Sequence, residues 1–94
     1  MAHSLVRFKI ADYEQWLTAF NGMGDLRAQY GCEGGHAFMN VDNPAEIVVL
    51  LHWADEAQAR AYTTSPDLRA AMQAGGVQGP PEITFLDEVG DAQI

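Results

Sequence analysis

Cysteine and positive charge are what this chain has least of. Cys32 is the one thiol among 94 residues, so no internal disulfide can form and a reducing, cytoplasmic setting is expected. No basic residue stands close by in the sequence to activate it, and Cys32 reads as a small residue in a glycine-rich turn. Five basic residues face thirteen acidic ones, a formal charge of −8. Phosphate backbones and anionic lipid surfaces repel such a surface unless its cations cluster, and only Arg7 and Lys9 stand close together. Neither nucleic acid nor membrane is an expected partner. Long apolar runs are missing too, since nothing approaches the roughly 20 residues of a spanning helix. Met1-Ala2-His3-Ser4-Leu5 shows no basic region followed by an apolar stretch, so no signal peptide is expected. Phosphate-loop glycines, a dinucleotide fingerprint and a Ser-His-Asp arrangement are likewise lacking. Hydrolase and dehydrogenase readings therefore have no support.

What is there is alternation of two kinds, enough for one domain over residues 1–94 with 90–94 a loose tail. From His3 to Ile10 the period is two: Ser4, Val6, Phe8 and Ile10 share one face, His3, Leu5, Arg7 and Lys9 the other. Asp12 is placed to cap a helix, and Gln15 stands three residues on, as in a capping box. Tyr13, Trp16, Leu17, Phe20, Met23, Leu26 and Tyr30 then succeed one another at helical spacing. Gly22 and Gly24 predict close packing or a kink, and Gly31 a stop.

Two strands are expected next, from Glu33 to Val41 and from Glu46 to Trp53, with Asp42-Asn43-Pro44-Ala45 turning between them. Asp55-Glu56-Ala57-Gln58 repeats the first cap at the same place after a strand. Ser65-Pro66-Asp67 divides the second crossover into two short helices, Asp55 to Thr63 and Pro66 to Gln73. Gly75-Gly76 and Gly79-Pro80-Pro81 mark a loop before a last strand from Glu82 to Val89. The order is βαββαβ, an α+β ferredoxin-like sandwich with a four-stranded antiparallel sheet and its helices on one face.

Two crossovers cover only one face of such a sheet. If the hairpin pairs His36 with His52, one side carries Ala37, Met39, Val41, Ile47, Val49, Leu51 and Trp53. The other carries His36, Phe38, Asn40, Val48, Leu50 and His52. Neither side is polar enough for water. An uncovered apolar face implies a partner, and a second copy of the chain joined by a two-fold axis satisfies it.

Val6-Arg7-Phe8-Lys9-Ile10 leading into Asp12-Tyr13 and Trp16, the turn from Asn40 to Pro44, and Trp53 before a capped helix form a familiar pattern. With Ser65-Pro66-Asp67-Leu68-Arg69 and Gly79-Pro80-Pro81-Glu82-Ile83, the chain resembles the dimeric α/β-barrel superfamily. The likeness is strongest to small antibiotic-biosynthesis-monooxygenase-like proteins, some of them labelled cyclases, and spans nearly all of Leu5 to Val89. It implies a homodimer whose sheets pair into a barrel, with a small-molecule pocket. The activities it implies range over cofactor-independent oxygenation of polycyclic phenols, polyketide cyclisation and haem degradation. The quoted residues are structural punctuation and name none of these.

His52 is the sharpest catalytic candidate, since an imidazole can take a proton from a phenol or enol near neutral pH. His36 stands on the same expected face, with Asn40 further along it, able to hold a developing oxyanion. Phe38, Leu50 and Trp53 would line the pocket, and Arg7 would neutralise a ligand carboxylate or pair with Glu82 or Glu88. The bland reading of the histidines is hydrogen-bonded strand residues at a dimer contact. Trp16, Phe20 and Tyr13 read as core before they read as a ligand box. A zinc or copper site would need Glu33, Glu46 or His3 to complete the histidine pair. No ligand spacing such as His-x-x-x-His supports one, and no haem motif is found.

The expectation is thus a cytoplasmic homodimer that binds a small apolar or aromatic molecule and oxygenates or cyclises it without a dedicated cofactor or metal. A non-catalytic ligand-binding or interaction module with the same dimeric fold is the alternative.

Overall fold

The computed structural model describes residues 2–92. Strand β1 spans Ala2–Ile10 and is followed by helices α1 (Tyr13–Gly22) and α2 (Gly24–Gln29). Strands β2 (Cys32–Asn40) and β3 (Asn43–Trp53) form the hairpin, and helices α3 (Glu56–Thr63) and α4 (Pro66–Ala74) lead to strand β4 (Val77–Asp87). The sheet runs β2-β3-β1-β4 with each neighbouring pair antiparallel, a ferredoxin-like α+β sandwich with its helices on one face.

Both helical corners are built alike. Asp12 accepts from the Gln15 N–H and Asp55 from the Gln58 N–H, each at 2.8 Å, so both caps form. The second half of the expected box does not: the Gln15 side chain donates instead to the Ala74 carbonyl at 2.8 Å, tying α1 to the end of α4. Beside these caps the Ala11 N–H donates to the Gly76 carbonyl and the Ala54 N–H to the Gly31 carbonyl. Each strand end is thereby stitched to the loop leaving the opposite crossover. Gly31 needs its freedom, because it sits at φ +91° and a Cβ there would lie 2.5 Å from the Gln58 amide. The helix broken by Gly22 and Gly24 shows a kink at Met23 rather than close packing, since a Cβ on Gly22 would meet nothing within 4 Å.

Alternation places Phe8 and Ile10 of β1 with Ile47, Val49, Leu51 and Trp53 of β3 on the inner face, against Trp16, Ala59 and Tyr62 from the helices. The hairpin register differs from the expected one. His36 stands opposite Leu50, and Gly34 opposite His52. The turn is shorter than the composition implied: Asn40 already pairs with Asn43, so Pro44 and Ala45 belong to β3. Irregularities between Cys32 and Gly34 and between Met39 and Asn40 absorb the difference. Over Gly34 to Met39 the slip is an even number of residues, so those side chains keep their expected faces, whereas the irregularity before Asn40 shifts the pairing by an odd number.

The last strand starts earlier than Glu82, with Val77 opposite Ile10, and its pairing shifts between Arg7 and Lys9 near Gly79, at φ +72°. Pro80 and Pro81 are tolerated because β4 is an edge strand with irregular pairing there. Of the expected tail, residues 90–92 carry no regular structure, and Gln93 and Ile94 lie outside the described residues. The outer face carries Leu5, Val48, Leu50, Phe38 and Leu86, the last two 53% and 42% exposed.

Candidate functional site

A cavity of ≈ 60 Å³ lies between the inner face of the sheet and the helices. Trp16 and Phe20 of α1, stacked with ring centroids 5.0 Å apart, form an aromatic wall, and Val6, Val49, Leu51, Leu68 and Met72 are among the aliphatic ones. Four polar side chains reach the lining: Ser4, Arg27, Tyr62 and Thr63. The Thr63 hydroxyl is engaged with the Ala59 carbonyl one turn back, at 2.8 Å. Ser4 points inward by the period of β1 and accepts from the Trp53 indole N–H at 2.9 Å, which leaves its own O–H to donate.

Arg27, in the last turn of α2, lays its guanidinium over the Phe20 ring at 4.0 Å. Tyr62 of α3 is buried against Trp53 and Tyr30, with ring centroids at 5.1 and 5.6 Å. That burial pushes the Tyr62 phenol above its ordinary pKa. Arg27 beside the hydroxyl pulls partly back, and Cys32 adds a small push upward. At neutral pH Tyr62 is therefore a proton donor in hydrogen bonds. At ≈ 60 Å³ the cavity is smaller than an aromatic ring, so a flat apolar ligand has to widen it, and such a ligand would meet donors at its polar edge.

The residues expected to form a site do not converge on this cavity. Trp53 faces inward, wholly buried, whereas His52 beside it faces outward, because successive strand residues alternate. Phe38, Leu50 and His36 share the outer face with His52, and the His36 and Phe38 rings lie 6.2 Å apart. The ring that meets His52 is His3, opposite it on β1, edge to face at 4.2 Å. His3 Nε2 in turn lies 3.8 Å from the Glu88 carboxylate.

Asn40 closes the hairpin, accepting from the Asp42 N–H at 2.9 Å. Its partner Asn43 is nine positions from His52 along β3, about 30 Å at the usual strand rise. Within one protomer it cannot hold an anion formed at His52. Arg7 pairs with Glu46 at 3.3 Å, not with Glu82 or Glu88. Glu46 is the diagonal neighbour of Arg7 on the same face, within reach of a long side chain. Among the described residues no group of three His, Cys, Asp or Glu side chains could hold a metal.

Ser4, Arg27 and Tyr62 are the polar groups that sequence reasoning passed over. Arg27 had a signal: it stands seven residues after Phe20 and four after Met23, on the apolar stripe of the helix, where a cation needs a reason.

A sequence profile of the antibiotic biosynthesis monooxygenase family matches residues 2–74. The chain belongs to this family. Solved structures agree at the level of the fold. A Bordetella bronchiseptica protein named for the same family superposes with a TM-score of 0.79 at 12% identity, covering 94% of this chain and 96% of that one. SnoaB, a cofactor-independent oxygenase from Streptomyces nogalater, gives 0.77 at 14% identity, covering 96% and 94%. A Caulobacter crescentus protein, also named for the family, gives 0.75 at 19%, covering 95% and 90%. No curated protein sequence matches. This antibiotic biosynthesis monooxygenase family member has no helix among its described residues long and apolar enough to cross a membrane.

Proposed function

We propose that this protein is a cofactor-independent monooxygenase that takes a small planar aromatic substrate of the phenol type into the cavity between sheet and helices. The observation that carries the reading is the make-up of that cavity, an aromatic and aliphatic enclosure with Ser4, Arg27 and Tyr62 as its few convergent polar groups. A phenol that has lost its proton is electron-rich at ring carbon and can pass those electrons to oxygen without flavin or metal. One oxygen atom enters the substrate as a carbonyl, and the other leaves as water with one hydrogen from the phenol hydroxyl and one from the attacked ring carbon. Met23 and Met72, unbranched and adaptable, let the enclosure widen around a ring system. The likeness to SnoaB supports the reading through the fold alone.

The uncovered outer face is part of the proposal. Phe38 and Leu86 are exposed there beside half-buried Leu50 and Val48, an apolar surface suited to a second copy in a two-fold dimeric barrel. Its one cysteine fits a cytoplasmic home. A second reading keeps the chemistry at that interface, with His52 as acid–base, His36 on the same face, and Asn40 supplied only by the other copy. It is favoured by the placement of all three histidines, His3, His36 and His52, on the outer face. Polyketide-type cyclisation would use the same pocket without oxygen.

Oxygen uptake decides the matter. The purified protein, with a chelator and no added cofactor, should consume one oxygen molecule per carbonyl formed from a polycyclic phenol. Ligands that quench tryptophan fluorescence without oxygen uptake or product would replace this reading with a non-catalytic binding module.

A further inference from the structure

We infer that the cavity binds its aromatic ligand as an anion, with the negative oxygen held by the Arg27 guanidinium and the Tyr62 hydroxyl. The inference rests on the proposed cavity site and names the charge state that site selects. Arg7 and Arg60 each have a glutamate partner, Glu46 at 3.3 Å and Glu56 at 2.8 Å. Among the described residues Arg27, like Lys9 and Arg69, has no ion pair, and what sets it apart from those two is its place on the cavity wall. A cation serving only the C-terminus of its helix would lie out in water. Arg27 instead rests on Phe20 and forms part of the cavity wall.

The guanidinium is planar, weakly hydrated and permanently charged, and with the neutral Tyr62 hydroxyl as its neighbour it still has donors for a desolvated oxyanion. Tyr62 adds a second donor from α3. Its burial keeps it protonated, so it donates to an anion rather than repelling one. No histidine or carboxylate is found among the described residues that line the cavity. The site therefore has nothing to accept a proton from a neutral phenol and does have the means to keep a phenolate.

The test uses 4-nitrophenol, whose conjugate base absorbs visible light and whose ionisation lies near neutrality. Titrated with excess protein, the bound phenol should show an apparent pKa lowered by about one unit, the shift that a tenfold preference for the anion produces. Arg27→Gln should abolish the shift, and Arg27→Lys should keep part of it. Tyr62→Phe, which leaves the charge in place, should reduce the shift less than Arg27→Gln does. Circular dichroism confirms that each variant is folded, and Arg27→Lys carries the comparison if Arg27→Gln is not. An unshifted pKa on binding, a full shift in Arg27→Gln, or no binding at all would overturn the inference. A retained shift without oxygen uptake from any phenol would remove the oxygenase reading and leave this one standing.

Discussion

The Trp53 indole N–H donates to the Ser4 hydroxyl at 2.9 Å, with the two residues 0% and 1% exposed. The bond joins β3 to β1 beneath the cavity and fixes which way the indole points. Ser4→Ala leaves a buried donor unpaired, at a cost of about 1–3 kcal/mol. Urea unfolding should show the midpoint falling with an unchanged slope.

Tyr62 makes stability depend on pH at the alkaline end. Its folded-state pKa is raised above the unfolded value of about 10 by burial, so the folded chain holds this proton more tightly. The stabilisation is complete below pH 10 and is lost as pH rises through the higher folded value. Alkaline unfolding followed by circular dichroism should therefore be less steep in Tyr62→Phe. Absorbance titration of the phenols should lose its highest step in the same variant.

Three glycines should respond differently to alanine. Gly22→Ala meets open space in a helix and should stabilise by about 0.5–1 kcal/mol. Gly35→Ala drives a Cβ into the Leu50 carbonyl and the Leu51 backbone, which should loosen the β2–β3 pairing. Gly31→Ala has two penalties, the collision with Gln58 and a left-handed φ. Adding Gln58→Ala should relieve the first and leave about 1–2 kcal/mol of the second. Thermal denaturation of the four variants gives the ranking.

Much of this fold was legible, and the reasons are local. Asp12 and Asp55 announce both helices because a capping carboxylate acts within three residues of itself. The two faces of β1 and β3 follow from a period of two, which survives the even register slip at His36. The slip itself was not legible, because it depends on where backbone irregularities fall and not on composition. Nor was the cavity. Ser4, Arg27 and Tyr62 come from β1, α2 and α3, and no spacing rule joins residues brought together only by packing. His52 drew attention for the opposite reason: an ionisable ring in an aliphatic run is conspicuous, whichever face it takes.

Phe38 tests the outer face. It is 53% exposed, so Phe38→Lys should change the stability of the single chain by about 0.5 kcal/mol or less. If the face joins two copies, sedimentation should show the wild-type chain as a dimer and Phe38→Lys as a monomer. A wild-type chain that sediments as a monomer would contradict the dimer.

Ligand entry between sheet and helices, and not on the outer face, is open to one direct measurement. The chain has two tryptophans, Trp16 on the cavity wall and Trp53 bonded to Ser4, and three histidines, all on the outer face. Nitrogen–proton NMR during titration with a polycyclic phenol reads both sides at once. Both indole N–H signals should move while those of His3, His36 and His52 hold still. Histidine signals that move against fixed indoles would contradict entry at the cavity and place the site at the outer face.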